Sequence, residues 1–391
     1  MTAIVKAENA ADFLALVPYL LGFHPRDSVV LVAFCGNRTR GALRFDLPKT
    51  DADLACKRIA TTMIGVLCKL PEVDALVPVV FTDDRFALPI PHRPFLNAVV
   101  RRAESAGFVV RDALCVASDG WGDYLEADTP RTGHPLSEIS ASAIGERVPR
   151  GARGARGEIG TVTDGAVIPV VDLATAERVA RLMLQYRHAA HTSVADSAPD
   201  SASDSASDSV ELGQLCLAFN SDGPLRVFPL PRLVELAINL DPARIADRDA
   251  ALLLWLLQRP MGRDALMLQF AFGPAAGFRV LFGEQFTDGD GPGVRESAAL
   301  VLGEGPRPDP MRIAAGIAVL TAVTARAPRS ARPAPLCILA WLHWALGRGS
   351  VAGILAEQAL TIDPDYGFAR LLLGMLDAGR LPEWAFESGT R

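Results

Sequence analysis

Residues 19–48 read YLLGFHPRDSVVLVAFCGNRTRGALRFDLP, and the punctuation of this stretch decides the first half of the fold. The leading apolar residues close a helix predicted over Ala10 to Leu21, and Gly22-Phe23-His24-Pro25 is a turn. Two strand-like runs follow, Ser28 to Cys35 and Gly41 to Leu47, with the polar Gly36-Asn37-Arg38-Thr39-Arg40 between them as a hairpin turn. Outward from the hairpin the chain alternates. Helical periodicity runs over Asp51 to Lys69 and His92 to Ala106, the latter ended by Gly107, and strands are expected at Ala75 to Phe81 and Phe108 to Ala117. Gly120 to Leu125 reads as a turn entering another strand. Strands alternating with helices make an α/β layer, and the hairpin makes the sheet mixed, not purely parallel.

The same turn holds the first candidate chemistry. His24 is a candidate general base, oriented by Asp27 or by Asp46, with Ser28 as nucleophile, because a hydroxyl needs a neighbouring base to attack at neutral pH. The competing reading is purely local: Gly22 and Pro25 shape the turn, and Asp27 or Ser28 caps it. The spacing is not that of a nucleophile elbow, and the turn precedes a strand where an elbow follows one. Arg44 and Asp46 fall on one face of a strand and form either a structural pair or, with Trp121, the lining of a pocket. Trp121 and Tyr124, flanked by Gly120 and Gly122, are either a stacking platform for a ligand or a cap on the sheet.

The second half changes character. Val171 to Ala190 is helical, then HTSVADSAPDSASDSASDSV places Asp196, Asp200, Asp204 and Asp208 every four residues, which would stack like charge on one helical face. That composition predicts a disordered linker over 191–209. Beyond it the sequence turns helical, and Asp241-Pro242, Asp309-Pro310 and Asp363-Pro364 mark helix starts, each with a capping carboxylate followed by a proline that has no N–H to leave unmet. Residues 274–308 read as a long glycine- and proline-rich loop. The expected organisation is a mixed α/β domain over 1–190, the linker, and an all-α domain over 210–391. Leu252 to Leu257, with Trp255 among them, is apolar on every side of a helix and so must be buried, within the domain or against another chain.

The run PLCILAWLHWALGRGSVAGILAEQALTIDPDY fits a tetratricopeptide unit, a helical pair repeating at about 34 residues. Anchored on Pro364, the signature offsets fall on Leu336, Leu339, Ala340, His343, Ala352, Ala356 and Ala359, with Gly347 ending the first helix. Leu336, Ala340, His343 and Ala356 depart from the usual Trp, Gly, Tyr and Phe. The small residues matter because two helices approach closely only where side chains are short. Continuation puts Leu373 and Gly374 in a following unit, and the helical pair spans about 333–380. Trp255, Trp341, His343 and Trp344 are the candidate partner-interface residues of this half.

Bulk properties narrow the function. The chain has 391 residues, half of them apolar, 21% charged, and a net charge of −6. That length calls for two domains, and that charge argues against a dedicated nucleic-acid binder, which needs Lys and Arg for phosphates. Arg147, Arg150, Arg153 and Arg156 recur every third residue in a glycine-rich loop, as a phosphate contact or a solvated loop. The six cysteines are scattered without C-x-x-C spacing, which reads as reduced thiols of a cytoplasmic protein. Phe13 to Phe23 follows Glu8 and Asp12 and lacks a basic start, so it is not read as a signal peptide, and no run is long and apolar enough to span a bilayer. His188 and His191 have no third ligand in pattern, so no metal is expected. The absence of a P-loop or a G-x-G-x-x-G after a strand gives no support for a nucleotide cofactor.

Two segments together, VPYLLGFHPRDSVVLVAF…LRFDLP and APLCILAWLHWALGRGSVAGILAEQALTIDPDYGFARLLLGMLDAGRLP, resemble the actinobacterial family known as domain of unknown function 4192. Trp121 and Tyr124 sit where that family carries a Trp-x-Tyr-like element. The resemblance implies a cytosolic actinobacterial protein with an α/β front and a helical back, and it brings no catalytic residue. The expected function is a non-catalytic interaction or regulatory protein acting through its helical half on a protein partner or on copies of itself. Two alternatives are a hydrolase on a nucleotide or phosphoester, its pocket built from His24, Asp27, Arg44, Asp46 and Trp121, and a structural subunit of a larger assembly.

Overall fold

A computed structural model describes residues 6–50, 52–126, 128–147, 164–195, 230–239, 241–282 and 292–386. The linker segment beyond Ala195 and the arginines at 150, 153 and 156 lie outside the described residues. The chain divides into two compact units, residues 1–165 with 386–391, and residues 166–385.

The first unit runs α1 (Ala10–Leu21), β1 (Ser28–Cys35), β2 (Arg38–Asp46), α2 (Asp53–Leu67), β3 (Ala75–Phe81), α3 (Arg93–Ser105), β4 (Val109–Val110), β5 (Leu114–Val116), β6 (Trp121–Asp123), α4 (Leu136–Ser140) and α5 (Ile144–Arg147). Asn9 caps α1 by accepting the Asp12 amide at 2.8 Å, and Gly22 ends the helix at φ 82°, a conformation a side chain would strain. The sheet order is β2-β1-β3-β5-β6, with β4 also on β3. It is mixed: β1 is antiparallel to β2 and β3, β3 is parallel to β4 and β5, and β5 is antiparallel to β6.

β1 is the centre of the unit because its residues are apolar on both faces. Val29, Leu31 and Ala33 pack with Cys56, Met63 and Ile64 of α2 and with Phe95, Leu96 and Val99 of α3. Val30 and Val32 pack with Leu14 and Val17 of α1. Pro78 sits inside β3, a central strand, where a missing N–H is normally costly. Leu76 accepts the Arg111 amide on the β4 side, so period two turns Pro78 to that same side. There β4 has ended at Val110 and β5 begins only opposite Val79, so no ladder bond is lost.

Several boundaries differ from the sequence expectation. β2 begins at Arg38, so the hairpin turns on Gly36-Asn37, with Gly36 at φ 52°, and a bulge between Ala33 and Phe34 absorbs the register. The expected strand over Phe108 to Ala117 is split into β4 and β5.

The second unit contains α6 (Leu173–Ala195), α7 (Leu230–Ile238), α8 (Asp247–Leu257), α9 (Pro260–Phe272), α10 (Pro274–Phe282), α11 (Pro292–Val301), α12 (Pro310–Arg326), α13 (Pro333–Ala345), α14 (Gly349–Ile362) and α15 (Gly367–Asp377). Residues 274–308 are therefore not one long loop: Pro274 and Pro292 each sit at the first position of a helix, where proline is favourable. The unit boundary falls at 165/166, not at 190, because α6 packs on α8 of the helical unit.

Every residue from Ala250 to Leu257 is buried, within this unit, and so is every residue of α13. Asp309 caps α12 through the Met311 and Arg312 amides, and Asp241 caps a single 3-10 turn. Asp363 takes the Asp365 amide at 3.0 Å and closes a turn ahead of α15, which starts only at Gly367. A polar network ties three helices: Gln269 of α9, 1% exposed, donates to Glu235 of α7, and Arg312 of α12 forks onto both Glu235 oxygens at 2.9 and 2.6 Å.

Candidate functional site

The pocket expected from His24, Asp27, Arg44, Asp46 and Trp121 does not assemble. β2, which carries Arg44 and Asp46, and β6, which carries Trp121, are the two ends of the strand order, four inter-strand steps or about 19 Å apart. Arg44 and Asp46 do form an ion pair, at 2.5 Å, and Arg44 also donates to the Arg26 carbonyl, so the pair ties β2 to the turn before β1. Its carboxylate end is exposed.

In the opening turn, Asp27 has φ 39° and its carboxylate accepts the Asp83 amide at 3.2 Å, while its carbonyl accepts the Leu47 amide. Asp27 thus fastens the turn to the loop after β3. Ser28 is fully buried and its hydroxyl has no hydrogen-bond partner among the described groups. Local desolvation lowers the pKa of His24, which favours the neutral imidazole. Trp121 and Tyr124 do not make a common platform. Trp121 packs on the α1 face of the sheet and Tyr124 on the α2/α3 face, three residues on, where its hydroxyl donates to the Pro91 carbonyl.

The structure gathers polar groups instead at the carboxyl ends of β3 and β5, where α/β sites commonly form. Thr82 follows β3, Ser118 and Asp119 follow β5, and His92 precedes α3 in a left-handed conformation at φ 57°. Sequence reasoning passed over FTDD (81–84) and ASDG (117–120), whose signal was polar residues directly after buried strands. His92 Nε2 lies 3.3 Å from the Thr82 hydroxyl and 3.5 Å from an Asp84 carboxylate oxygen. Both contacts converge on one ring nitrogen, whereas a hydroxyl–imidazole–carboxylate relay needs one on each. The Asp84 amide donates to the Thr82 hydroxyl, Ser118 donates to the Asp84 carbonyl, and Asp119 accepts the Phe86 amide. These groups stitch two loops together.

An open groove of about 500 Å³ lies at the N-terminus of α1, lined by Asn9, Asp12, Trp121, His134, Glu138 and Ser142 among others. Its aromatic wall is built by an antiparallel bridge: the Trp121 and His134 amides and carbonyls exchange hydrogen bonds of 3.0 and 2.7 Å, which stacks the two rings at 4.5 Å with 28° between planes. Gly122 is required behind it, since a Cβ there would meet Phe86 at 2.6 Å. Trp121 is 7% exposed and its indole N–H has no acceptor among the described groups. On the rim, Asp12 accepts the Ser142 hydroxyl at 2.5 Å and the Glu8 amide at 3.3 Å, and Glu138 is exposed. His134 was not a sequence candidate, because only the tertiary bridge brings it to Trp121.

In the helical unit, the residues expected at an interface are core. Trp255 is 6% exposed, Trp341 0%, His343 4% and Trp344 1%. The Trp341, Trp344 and Trp384 indoles donate to the carbonyls of Val301, Arg380 and Ala345, so they bind α11 and the segment after α15 to α13. Burial lowers the pKa of His343 to about 3, leaving it neutral.

His188 and His191 lie on α6, and among the described residues no group of three His, Cys, Asp or Glu side chains could hold a metal. No described helix is long and apolar enough to cross a membrane. Burial pushes the Cys115 and Cys337 thiols up to about 12.

No curated protein and no solved structure matches the chain. The family model for Domain of unknown function (DUF4192) matches residues 11–383, nearly the whole chain, and the chain belongs to that family.

Proposed function

We propose that this chain is a recognition protein, not a catalyst: the sheet unit holds a ligand group in the groove beside Trp121 and His134, and the helical unit serves protein–protein assembly. The observation that carries the reading is the groove itself, whose volume of about 500 Å³ lies within the range of about 300–1,000 Å³ typical of ligand sites. It combines a stacked aromatic wall with a few polar groups, the usual composition of such sites. The assembly role is supported by consecutive helices α13, α14 and α15, which pack on one another with Ala340, Ala352, Ala356 and Ala359 buried, as a tetratricopeptide-like reading of this segment requires.

The hydrolase alternative has one observation in its favour, the Thr82, His92 and Asp84 contacts. Their convergence on a single imidazole nitrogen fits loop-stitching better. The test is capture of partners from host extract on the immobilised full-length protein, compared with the Trp121→Phe/Glu138→Gln double variant. Loss, in that variant, of the species the groove holds, with the partners of the helical unit retained, is the expected result. Turnover of a phosphoester by the full chain that His92→Ala abolishes would overturn the proposal.

A further inference from the structure

Resting on the recognition reading, we infer that two carboxyls at the β6 end of the sheet, Asp112 and Asp123, form a proton-controlled latch on β6 and so regulate the groove. β6 is three residues long, ends the strand order and supplies Trp121, so whatever holds β6 holds the aromatic wall. The register sets Leu114 of β5 opposite Asp123 of β6. Leu114 and Trp121 pack on the α1 face, and period two puts Asp112 and Asp123 on that face with them. The two carboxyls are thus diagonal cross-strand neighbours, within hydrogen-bond reach of each other. Each is also fixed by backbone: Asp112 accepts the Ala113 amide at 2.9 Å and Asp123 the Leu125 amide at 2.7 Å.

The charges acting on Asp112 are acidic, Asp123 and, just beyond β6, Glu126. Neighbouring cations are engaged elsewhere: Arg93 donates to the Tyr124 carbonyl and lies over the Tyr124 ring on the α2/α3 face, and Arg111 donates to the Gly36 carbonyl. On the groove side of β6, His134 stacks on Trp121, with Asp12 and Glu138 on the rim. One shared proton makes the pair an acid donating to a carboxylate, a strong contact from β5 to β6. Without it, two like charges meet across an edge strand, which is destabilising. Burial, with Asp123 beside it, pushes the Asp112 carboxyl up to about 7, so that proton leaves near neutral pH. The latch is therefore closed in mild acid and loosened as pH rises through neutrality.

The test is fluorine NMR of the full-length chain labelled with fluorotryptophan, the Trp121 signal being assigned from Trp121→Phe, across a titration from mild acid to mild alkali. The Trp121 signal is expected to shift or broaden through a transition near pH 7, while the other tryptophans, all in the helical unit, do not follow it. Asp112→Asn keeps a donor facing Asp123 at every pH and should abolish the transition. Asp123→Asn removes the like charge and should move the midpoint about one unit lower. A Trp121 signal indifferent to pH across this range overturns the inference. So does a transition that survives unchanged in Asp112→Asn, which would belong to another group such as His134, or a midpoint that Asp123→Asn leaves in place. The readout uses no ligand, so its failure is distinct from a failure of the recognition reading, which is tested by what the groove holds.

Discussion

Replacing Trp344 by alanine separates a core role from an interface role. Trp344 is 1% exposed, its ring lies 6.2 Å from Trp341 and 6.3 Å from Trp384, and its indole donates to the Arg380 carbonyl at 2.8 Å. Truncating a buried tryptophan costs about 3–5 kcal/mol, and a carbonyl deprived of its donor adds about 1 kcal/mol. The expected loss is therefore about 4–6 kcal/mol, a large fraction of the roughly 5–15 kcal/mol that holds a domain folded. Urea unfolding followed by far-ultraviolet circular dichroism should show the helical transition moved to markedly lower denaturant. Leu371→Ser, at a position 46% exposed, is the control and should stay within about 0.5 kcal/mol of the wild type. A Trp344→Ala protein with an unchanged midpoint and lost partner binding would refute the core assignment.

Other outcomes follow from the same packing and electrostatics. Gly303→Ala should destabilise by about 3 kcal/mol in the same assay, because the added Cβ would sit 2.5 Å from the Trp344 ring and 2.8 Å from the Pro382 backbone at φ 83°. Burial, with Asp123 beside it, pushes the Asp112 carboxyl up to about 7. A raised folded pKa means stability that is complete below the unfolded value and lost as pH rises through about 7. Three pKa units correspond to about 4 kcal/mol at most, and partial exposure screens this to about 1 kcal/mol. Asp112→Asn should therefore flatten the decline in thermal midpoint between acid and neutral pH, and an unchanged slope would remove the assignment. With a thiol reagent under native conditions, exposed Cys68 should react promptly while Cys115 and Cys337 wait for unfolding, which mass spectrometry of the labelled peptides would show.

The fold was readable where local signals and burial agreed. α1 and β1 match their expected spans because Asn9, Gly22 and an unbroken apolar run all point one way. α10 and α11 were hidden because Gly273, Pro274, Pro292 and the neighbouring glycines look like loop punctuation, although prolines at first helical positions and a Gly273 cap are compatible with helices on either side. The site was much less accessible. Arg44 and Trp121 look alike as strand-end candidates, but strand order places them at opposite edges, and no periodicity in a single strand encodes that order. His134 reaches Trp121 only through an isolated bridge formed by a loop. The tryptophans of α13 gave the opposite problem: an aromatic run suits an interface or a core, and only α11 and the segment from Arg380 to Trp384, which supply acceptors and covering surface, decide for the core.

The most direct test of the recognition reading is native mass spectrometry of the full-length protein purified gently from its host. The expected result is a species heavier than the 41.7 kDa chain by a bound ligand, and that added mass is missing in the Trp121→Phe/Glu138→Gln variant. The same bare chain in wild type and variant, or a bound species indifferent to both substitutions, would contradict it.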